Sequence, residues 1–317
     1  MSRRSQQRQK TERTLVGQGT YGCVYRPAIP CVAGRSTVGK VSKILDHASA
    51  MEELAAYDNL QLEWEDPDET FTVKKPESCR LPVKYTALLE QSCRVKMAEP
   101  MNLIYTDGGQ SFSAYAKSES DVENILGPLL GVFQIVNMLN SDNKYHMDIK
   151  PANIVIDAEQ PERLARLIDF GLAINNKPPN LLRYSVPYMY WPPETVALDP
   201  RGDINAHIKA YTANMKRYSI DRLMHRWGIN MDELLQAVAV KLGTHPPKYR
   251  EIVKKADLWG LAITILQSLD GKEGDLTASA HENLTRIIRA MLDPDISKRP
   301  DASRAEELYI DFIQKTF

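Results

Sequence analysis

The chain has 317 residues, of which 43% are hydrophobic, and its 40 basic side chains almost balance its 41 acidic ones. This composition is typical of an ordinary soluble globular protein with one large or two medium domains. The near-neutral net charge argues against a dedicated nucleic-acid-binding protein.

The N-terminal segment, residues 1–13, is basic and almost free of apolar side chains. Its basic residues are Arg3, Arg4, Arg8, Lys10 and Arg13. This pattern favours a solvated, disordered tail, and no signal peptide is expected because no apolar core follows the charges. The longest apolar stretch, 125–139, is interrupted by Gly, Pro and polar residues, so we do not expect it to span a membrane.

The N-terminal third is rich in short β-favouring runs separated by Gly and Pro. Strands are predicted at 14–16, 23–25, 38–45 and 103–105, with one helix at 47–60. The cysteines are Cys23, Cys31, Cys79 and Cys93, and no two of them form a CxxC pair. We therefore predict a reduced, intracellular protein without structural zinc.

A glycine-rich pattern, G-x-G-x-x-G-x-V, lies between the first two predicted strands. It consists of Gly17, Gly19, Gly22 and Val24. Glycines allow a hairpin backbone to approach phosphates without Cβ clashes. A plain turn or a dinucleotide-binding fingerprint would give a similar pattern, but no helix-forming sequence follows Gly22, which disfavours the dinucleotide-binding fold.

From Ser120 onward the sequence becomes mainly helical. Residues 120–123 fit a capping box, and the apolar spacing that follows predicts a buried helix as far as 139. Within the stretch 195–256, Asn230 precedes an acidic first turn and an apolar run that ends before Gly243. This stretch is therefore predicted to be a folded helical insert.

The most informative segment is the nonapeptide YHMDIKPAN at 145–153, followed by a DFG tripeptide that begins at Asp169. Asp148 can accept a hydroxyl proton, and Lys150 can neutralise a phosphate. Asn153 and Asp169 can hold Mg²⁺. Phosphoryl transfer requires these groups.

The order and spacing of these motifs resemble the catalytic and metal-binding loops of eukaryotic-type protein kinases. Three later elements resemble anchors of that family: WPPE ending at Glu194, DLWG beginning at Asp257, and DPDISKRP, which contains Arg299. The resemblance implies that Glu194 and Arg299 form a buried ion pair and that Asp257 braces the catalytic loop. These anchors favour a protein substrate over a small molecule.

The resemblance implies an α+β, bilobal kinase fold. Its parts are a basic tail (1–13), a β-rich N-lobe (14–107) and a helical C-lobe (108–317) that carries the 195–256 insert. The enlarged early hairpin, the Gly-Gly hinge and the long insert resemble the divergent kinases of large DNA viruses. The insert either docks substrates or packs under the activation segment, and the second interpretation is favoured.

The resemblance also implies a role for each catalytic residue. Asp148 orients the substrate hydroxyl, Lys150 stabilises the transferring phosphoryl group, and Asn153 and Asp169 bind the metal. The glycine pattern covers the nucleotide phosphates, and Val24 covers the adenine ring. The implied cofactors are ATP and Mg²⁺.

A family lysine is expected on the third strand, with a carboxylate partner on the next helix. Lys43 is chosen over Lys40 because it lies inside an apolar run. Glu53 is chosen over Glu52 as its partner because the apolar pattern after Glu53 resembles the family better.

The adenine-binding hinge of the family is expected directly after the strand at 103–105. On this alignment Thr106, Asp107 and Gly108 form the hinge. Tyr105 is then the bulky residue at the back of the pocket.

Two positions depart from the family pattern. Met147 replaces an Arg that normally meets a phosphorylated activation-loop residue, and a Met cannot pair with phosphate. We therefore hypothesise that activity does not depend on activation-loop phosphorylation. The Thr of the substrate-docking loop is missing at its usual offset in SVPYMY (185–190), and Ser185 is the candidate substitute.

The resemblance thus implies a serine/threonine protein kinase with protein substrates and without nucleic-acid or membrane partners. A pseudokinase scaffold is disfavoured by the intact Lys43, Asp148, Asn153 and Asp169. A small-molecule phosphotransferase is disfavoured by the three anchors. Dual specificity stays open because of the altered docking loop. The expected location is the cytoplasm or nucleus, or the host cell or virion for a viral protein.

Overall fold

The computed structural model describes residues 13–19, 22–32, 35–60, 72–157, 165–175 and 181–317. The chain divides into an N-terminal unit, Met1–Asp58 with Val73–Asp107, and a C-terminal unit, Asn59–Thr72 with Gly108–Phe317. Nearly all of the predicted basic tail and the tip of the glycine turn (20–21) lie outside the described residues.

The N-terminal unit is built on an antiparallel sheet that has five strands among the described residues, in the order β1-β2-β3-β5-β4. The strands are β1 (Thr14–Gln18), β2 (Gly22–Arg26), β3 (Lys40–Asp46), β4 (Glu77–Arg80) and β5 (Pro100–Thr106). Helices α1 (His47–Leu60) and α2 (Thr86–Ser92) accompany it. Alternate side chains of the strands, such as Cys23, Tyr25 and Ile44, are buried in the core of the unit.

The prediction of reduced cysteines is wrong. All four are paired, Cys23 with Cys93 and Cys31 with Cys79. The partners are 70 and 48 residues apart in the sequence, so spacing along the chain does not reveal them. The fold brings β2 next to the residue after α2, and the connection between β2 and β3 next to β4.

The C-terminal unit is mainly helical. A small antiparallel sheet joins β6 (Gln110–Ser111), β7 (Ile154–Ile156) and β8 (Ala165–Leu167) in that order. The longer helices are α3 (Phe112–Ser118), α4 (Val122–Leu126), α5 (Leu129–Ser141), α6 (Ile204–Arg217), α7 (Ile220–Arg226), α8 (Met231–Thr244), α9 (Tyr249–Ser268), α10 (Ala278–Met291) and α11 (Ala302–Thr316). A β-rich unit followed by a helical one confirms the predicted α+β class.

The single helix predicted over 120–139 is two helices, α4 and α5. Asp121, and not Ser120, caps α4, its carboxylate accepting the Glu123 amide at 2.9 Å. Pro128 has no N–H to continue the helical hydrogen bonds, and α5 begins after it. The stretch Val122–Ser141 is long and apolar enough to cross a membrane by length and composition, and 56% of its most apolar 18-residue window is buried inside the structure.

The stretch 195–256 is helical, as its pattern predicts. It contains α6, α7 and α8 and the beginning of α9. The Asn230 side chain caps α8 by accepting the amides of Asp232 and Glu233. The helix continues through Gly243 to Thr244, one residue past the glycine that was expected to end it.

Candidate active site

The catalytic loop, residues 145–153, is held by the carboxylate of Asp257 on α9. Asp257 accepts the backbone N–H of His146 at 2.8 Å and that of Met147 at 2.7 Å. Met147 has a φ of 61°, a backbone conformation that is uncommon for a residue with a Cβ. Two hydrogen bonds to one buried carboxylate stabilise this sharp turn.

Asp148 is buried and accepts three side-chain hydrogen bonds. Lys150 Nζ and Asn153 Nδ2 each lie 2.7 Å from its Oδ2, and Tyr188 Oη lies 2.8 Å from its Oδ1. The Asn153 amide also donates to the Asp148 backbone carbonyl at 3.0 Å. A carboxylate offers about four lone-pair positions, so one remains for a substrate hydroxyl.

Asn153 and Asp169 lie at the same end of the small sheet. Asn153 directly precedes β7 and Asp169 follows β8, and the two strands are antiparallel. The neighbouring Ile168 amide donates to the Asn153 carbonyl at 3.0 Å. Because the Asn153 side-chain nitrogen bonds to Asp148, the amide oxygen remains for a cation. An amide oxygen and a carboxylate are the hard ligands that Mg²⁺ prefers, so these residues fit that ion.

His146 connects the catalytic loop to the DFG segment. Its Nδ1 accepts the Asp148 amide at 3.3 Å, so its Nε2 carries the proton and donates to the Ile168 carbonyl at 3.1 Å. The imidazole also meets the ring of Phe170 edge-on, with 4.7 Å between centroids. One buried side chain thus contacts the backbone of Asp148 and both neighbours of Asp169.

In the N-terminal unit, Lys43 on β3 pairs with Glu53 on α1, with 2.7 Å between Nζ and Oε2. Glu53 is buried and also accepts the hydroxyl of Tyr105. Glu52, the alternative partner, is exposed. Lys40 lies an odd number of residues from Lys43 on the same strand and therefore on its other face. The chosen pair is the one that the structure forms.

The glycines of the predicted phosphate loop differ in their structural surroundings. Gly19 donates its amide to the Gly22 carbonyl at 2.9 Å across the turn. A Cβ on Gly22 would lie 2.2 Å from the Ile44 carbonyl oxygen, so this glycine is required by the packing of β2 on β3. Gly17 lies opposite Val24, whereas a Cβ on Gly19 would have no neighbour within 4 Å among the described residues. The packing of the described residues thus explains Gly22, and the phosphate-binding role of the glycine pattern stays a prediction.

The predicted hinge, Thr106 to Gly108, coincides with the end of β5 and the boundary between the two units. The Asp107 amide already donates to the Gly39 carbonyl at 2.9 Å. The Asp107 carboxylate pairs with Arg26 at 2.5 Å. The role of Thr106, Asp107 and Gly108 in adenine binding stays a prediction.

The family model for the protein kinase domain matches residues 11–310 of the chain. The chain belongs to the protein kinase domain family. Calcium-dependent protein kinase 3 of Plasmodium yoelii yoelii and that of Plasmodium berghei (strain Anka) are each 28% identical over 161 residues. The alignment covers 50% of this chain and 26% and 25% of those proteins, so this kinase spans about a quarter of their length.

The kinase anchors predicted at Glu194 and Arg299 form a buried ion pair, with 2.5 Å between Arg299 Nη2 and Glu194 Oε1. The Arg299 Nε donates to the Asp293 carbonyl at 2.8 Å. Its guanidinium lies 4.8 Å from the centre of the Trp259 ring. This pair connects the end of the activation segment to α9 and to the segment before α11.

The hydroxyl that donates to Asp148 belongs to Tyr188, which was not predicted from the sequence. Ser185, the predicted substitute for the missing Thr, donates its hydroxyl to the Leu182 carbonyl at 2.8 Å instead. Tyr188 donates to Asp148 and lies 3.3 Å from Lys150 Nζ. Burial first, and then the charge of Asp148, raise the pKa of the Tyr188 phenol far above its usual range, so it remains a neutral donor. The available signal was a further hydroxyl in the segment SVPYMY (185–190), on a longer side chain three residues after Ser185.

Proposed function

We propose that this kinase transfers the γ-phosphoryl group of ATP, bound with Mg²⁺, to serine or threonine hydroxyls of protein substrates. The observation that carries the proposal is the buried Asp148 carboxylate, whose position is fixed by Lys150, Asn153 and Tyr188. Lys150 lies two residues after Asp148, which resembles the serine/threonine kinases. The likeness to two protein kinases of Plasmodium supports proteins as the substrates.

Each residue has a distinct chemical task in the proposed reaction. Asp148 would accept the hydrogen bond of the substrate hydroxyl, and the Lys150 ammonium would stabilise charge on the transferring group. Asn153 and Asp169 would hold Mg²⁺, which when bound neutralises charge on the nucleotide phosphates. Lys43, kept in place by Glu53, would contact the α- and β-phosphates.

We also propose that activity does not require phosphorylation of the activation segment. The Met147 side chain is buried in an apolar cluster with residues of the activation segment and of α9. The buried members of this cluster are Tyr145, Met147, Ile174, Tyr184, Trp191, Leu198, Ile252, Val253 and Ala256. The Met147 carbonyl also accepts the indole N–H of Trp191. Apolar packing thus occupies the place where the family has an arginine that pairs with phosphate.

The test is phosphoryl transfer from labelled ATP to generic protein substrates by phosphatase-treated protein. Asp169→Asn should lower the rate on the order of 10²-fold or more, because positioned charges supply most of the catalysis. The matched control is Asp311→Asn, which makes the same change at an exposed site on α11. Its rate should equal that of the wild type.

The same assay separates the alternatives. Nucleotide binding without Asp169-dependent transfer would favour a pseudokinase scaffold. Phosphotyrosine beside phosphoserine and phosphothreonine in the products would indicate dual specificity. A strict requirement for an upstream kinase would refute the independence from phosphorylation and leave the transfer reaction itself untouched.

A further inference from the structure

Helix α6 of the insert contacts the backbone of the segment that carries Tyr188. The Asn214 side-chain amide donates to the Pro187 carbonyl at 2.7 Å. The Tyr211 hydroxyl lies 2.7 Å from the Trp191 carbonyl oxygen and 3.1 Å from that of Met189. Helix α6 therefore forms hydrogen bonds with this segment before and after Tyr188.

A third side chain of α6 lies near the start of the segment. The imidazole of His207 is buried near the backbone of Ser185, and its Nε2 has no hydrogen-bond partner among the described residues. His207, Tyr211 and Asn214 are four and three residues apart, so they share one face of α6. The backbone carbonyls that Tyr211 and Asn214 contact belong to alternate residues, Pro187, Met189 and Trp191.

Tyr211 is the centre of this interface. Its side chain is fully buried, and its hydroxyl also accepts the indole N–H of Trp259 at 2.9 Å. Trp259 itself donates to the Met189 carbonyl at 3.2 Å. Since Trp259 lies on α9, close after the Asp257 that holds the catalytic loop, the segment and the loop share one support.

We propose that α6 is a clamp that positions the catalytic base of this kinase. By fixing the backbone of 185–191, it holds the Tyr188 hydroxyl against Asp148 and Lys150 and orders the surface where a protein substrate would lie. Tyr211 and Asn214 are thus positioning residues that act through Tyr188. The part of this inference that concerns the rate rests on the proposed kinase activity, whereas the clamp itself is a structural claim.

Asn214→Asp is the sharpest test because it keeps the shape of the side chain. A carboxylate cannot donate to the Pro187 carbonyl, and the two oxygens would repel each other. The matched control is Asn205→Asp, the same change on an exposed position of the same helix. Asn214→Ala, which removes the donor without adding charge, is the second variant if Asn214→Asp folds poorly.

Two measurements are made on the full chain. Amide hydrogen exchange of peptides covering 185–191 should become faster by a factor of 10 or so in Asn214→Asp. The kcat/KM for a protein substrate should fall about 10- to 100-fold, because small misplacements of catalytic groups are costly. The affinity for ATP should stay within a factor of two or so, because the contacts of Lys43 are unchanged.

The two readouts keep the proposals apart. If the wild type transfers no phosphoryl group, the proposed function fails, and the exchange measurement still tests the clamp. If Asn214→Asp and Asn214→Ala match Asn205→Asp in both exchange and kcat/KM, the clamp is refuted. If exchange rises and kcat/KM does not change, α6 orders the segment but does not position Asp148, which also overturns the proposal.

Discussion

Lys43 in the N-terminal unit and Asp148 in the C-terminal unit are held in different ways. Lys43 lies within a sheet whose strand β2 is joined by a disulfide to the end of α2. Asp148 lies on a short loop that is held by side chains of α9 and of the activation segment. The geometry around Lys43 thus depends on strand pairing and covalent bonds as well as on its ion pair with Glu53. The geometry around Asp148 depends on individual polar side chains, so single substitutions should affect it more.

Breaking the buried ion pair should have the largest effect in the C-terminal unit. Arg299→Met leaves the Glu194 carboxylate buried without its partner, which costs about 3–5 kcal/mol of the free energy of unfolding. The measurement is denaturant-induced unfolding. The matched control is Arg304→Met, because Arg304 pairs with Glu307 at 2.8 Å on the exposed surface and should contribute little. Equal effects of the two changes would contradict the importance of burial.

Reducing the disulfides should weaken the N-terminal unit selectively. Each bridge closes a long loop, so a Cys23→Ser/Cys93→Ser protein should lose about 2–4 kcal/mol of stability. Hydrogen exchange should accelerate in β1 to β5 and stay unchanged in α9, which belongs to the unit without these bridges. A variant with serine at all four positions should not respond to reductant. If the wild type does not respond either, the bonds are absent from the purified protein.

Lowering the pH should destabilise the protein through His207 on α6. Burial lowers the pKa of His207 to about 4, from an unfolded value of 6.5. The unfolded chain therefore binds the proton first as pH falls, so the stability is complete above pH 6.5 and declines toward pH 4. The loss should be on the order of 1–2 kcal/mol at pH 5. Melting temperatures at pH 7 and pH 5 measure it.

The control for this titration is His207→Asn, which keeps a donor but does not ionise. Carboxylates elsewhere in the chain titrate equally in both proteins. The wild type should therefore lose more stability than His207→Asn between pH 7 and pH 5. Parallel losses would show that His207 does not carry the effect.

Features that depend on a few consecutive residues could be predicted from the sequence. The loop at 145–153 contains Asp148, Lys150 and Asn153 within nine consecutive residues. Lys43 lies on β3, and its partner Glu53 lies on α1, the helix that directly follows this strand. The Asn230 cap and the helices of the insert follow from local patterns. The α+β class follows from the change from strand-forming to helix-forming sequence.

Features that depend on contacts across the fold could not be predicted. The two disulfides join residues that only strand packing brings together, and Gly22 is required by a carbonyl on β3. Ser185 is the candidate that the sequence offers for the missing Thr of the substrate-docking loop. The bends between 185 and 191 decide instead that the longer Tyr188 reaches the carboxylate.

Tyr188→Phe tests whether the hydrogen bond from Tyr188 to Asp148 matters for catalysis. The change removes one donor from Asp148 and one acceptor from Lys150, so both side chains lose part of their fixed position. We expect kcat to fall about tenfold without a change in the KM for ATP. Tyr190→Phe is the control, because the Tyr190 hydroxyl in the same segment donates to Gln267 instead. A higher kcat would mean that the Tyr188 phenol competes with the substrate hydroxyl for Asp148.

Combining Tyr188→Phe with Asn214→Asp shows whether the clamp acts through this phenol. If α6 acts on the reaction only by positioning the Tyr188 hydroxyl, removing that hydroxyl makes the clamp irrelevant to kcat. The double variant should then be no slower than the slower single variant, because effects of residues in one network do not add. Additive losses would assign α6 a separate effect on the substrate-docking surface. In that case the exchange rates of 185–191 would still rise in Asn214→Asp and remain unchanged in Tyr188→Phe.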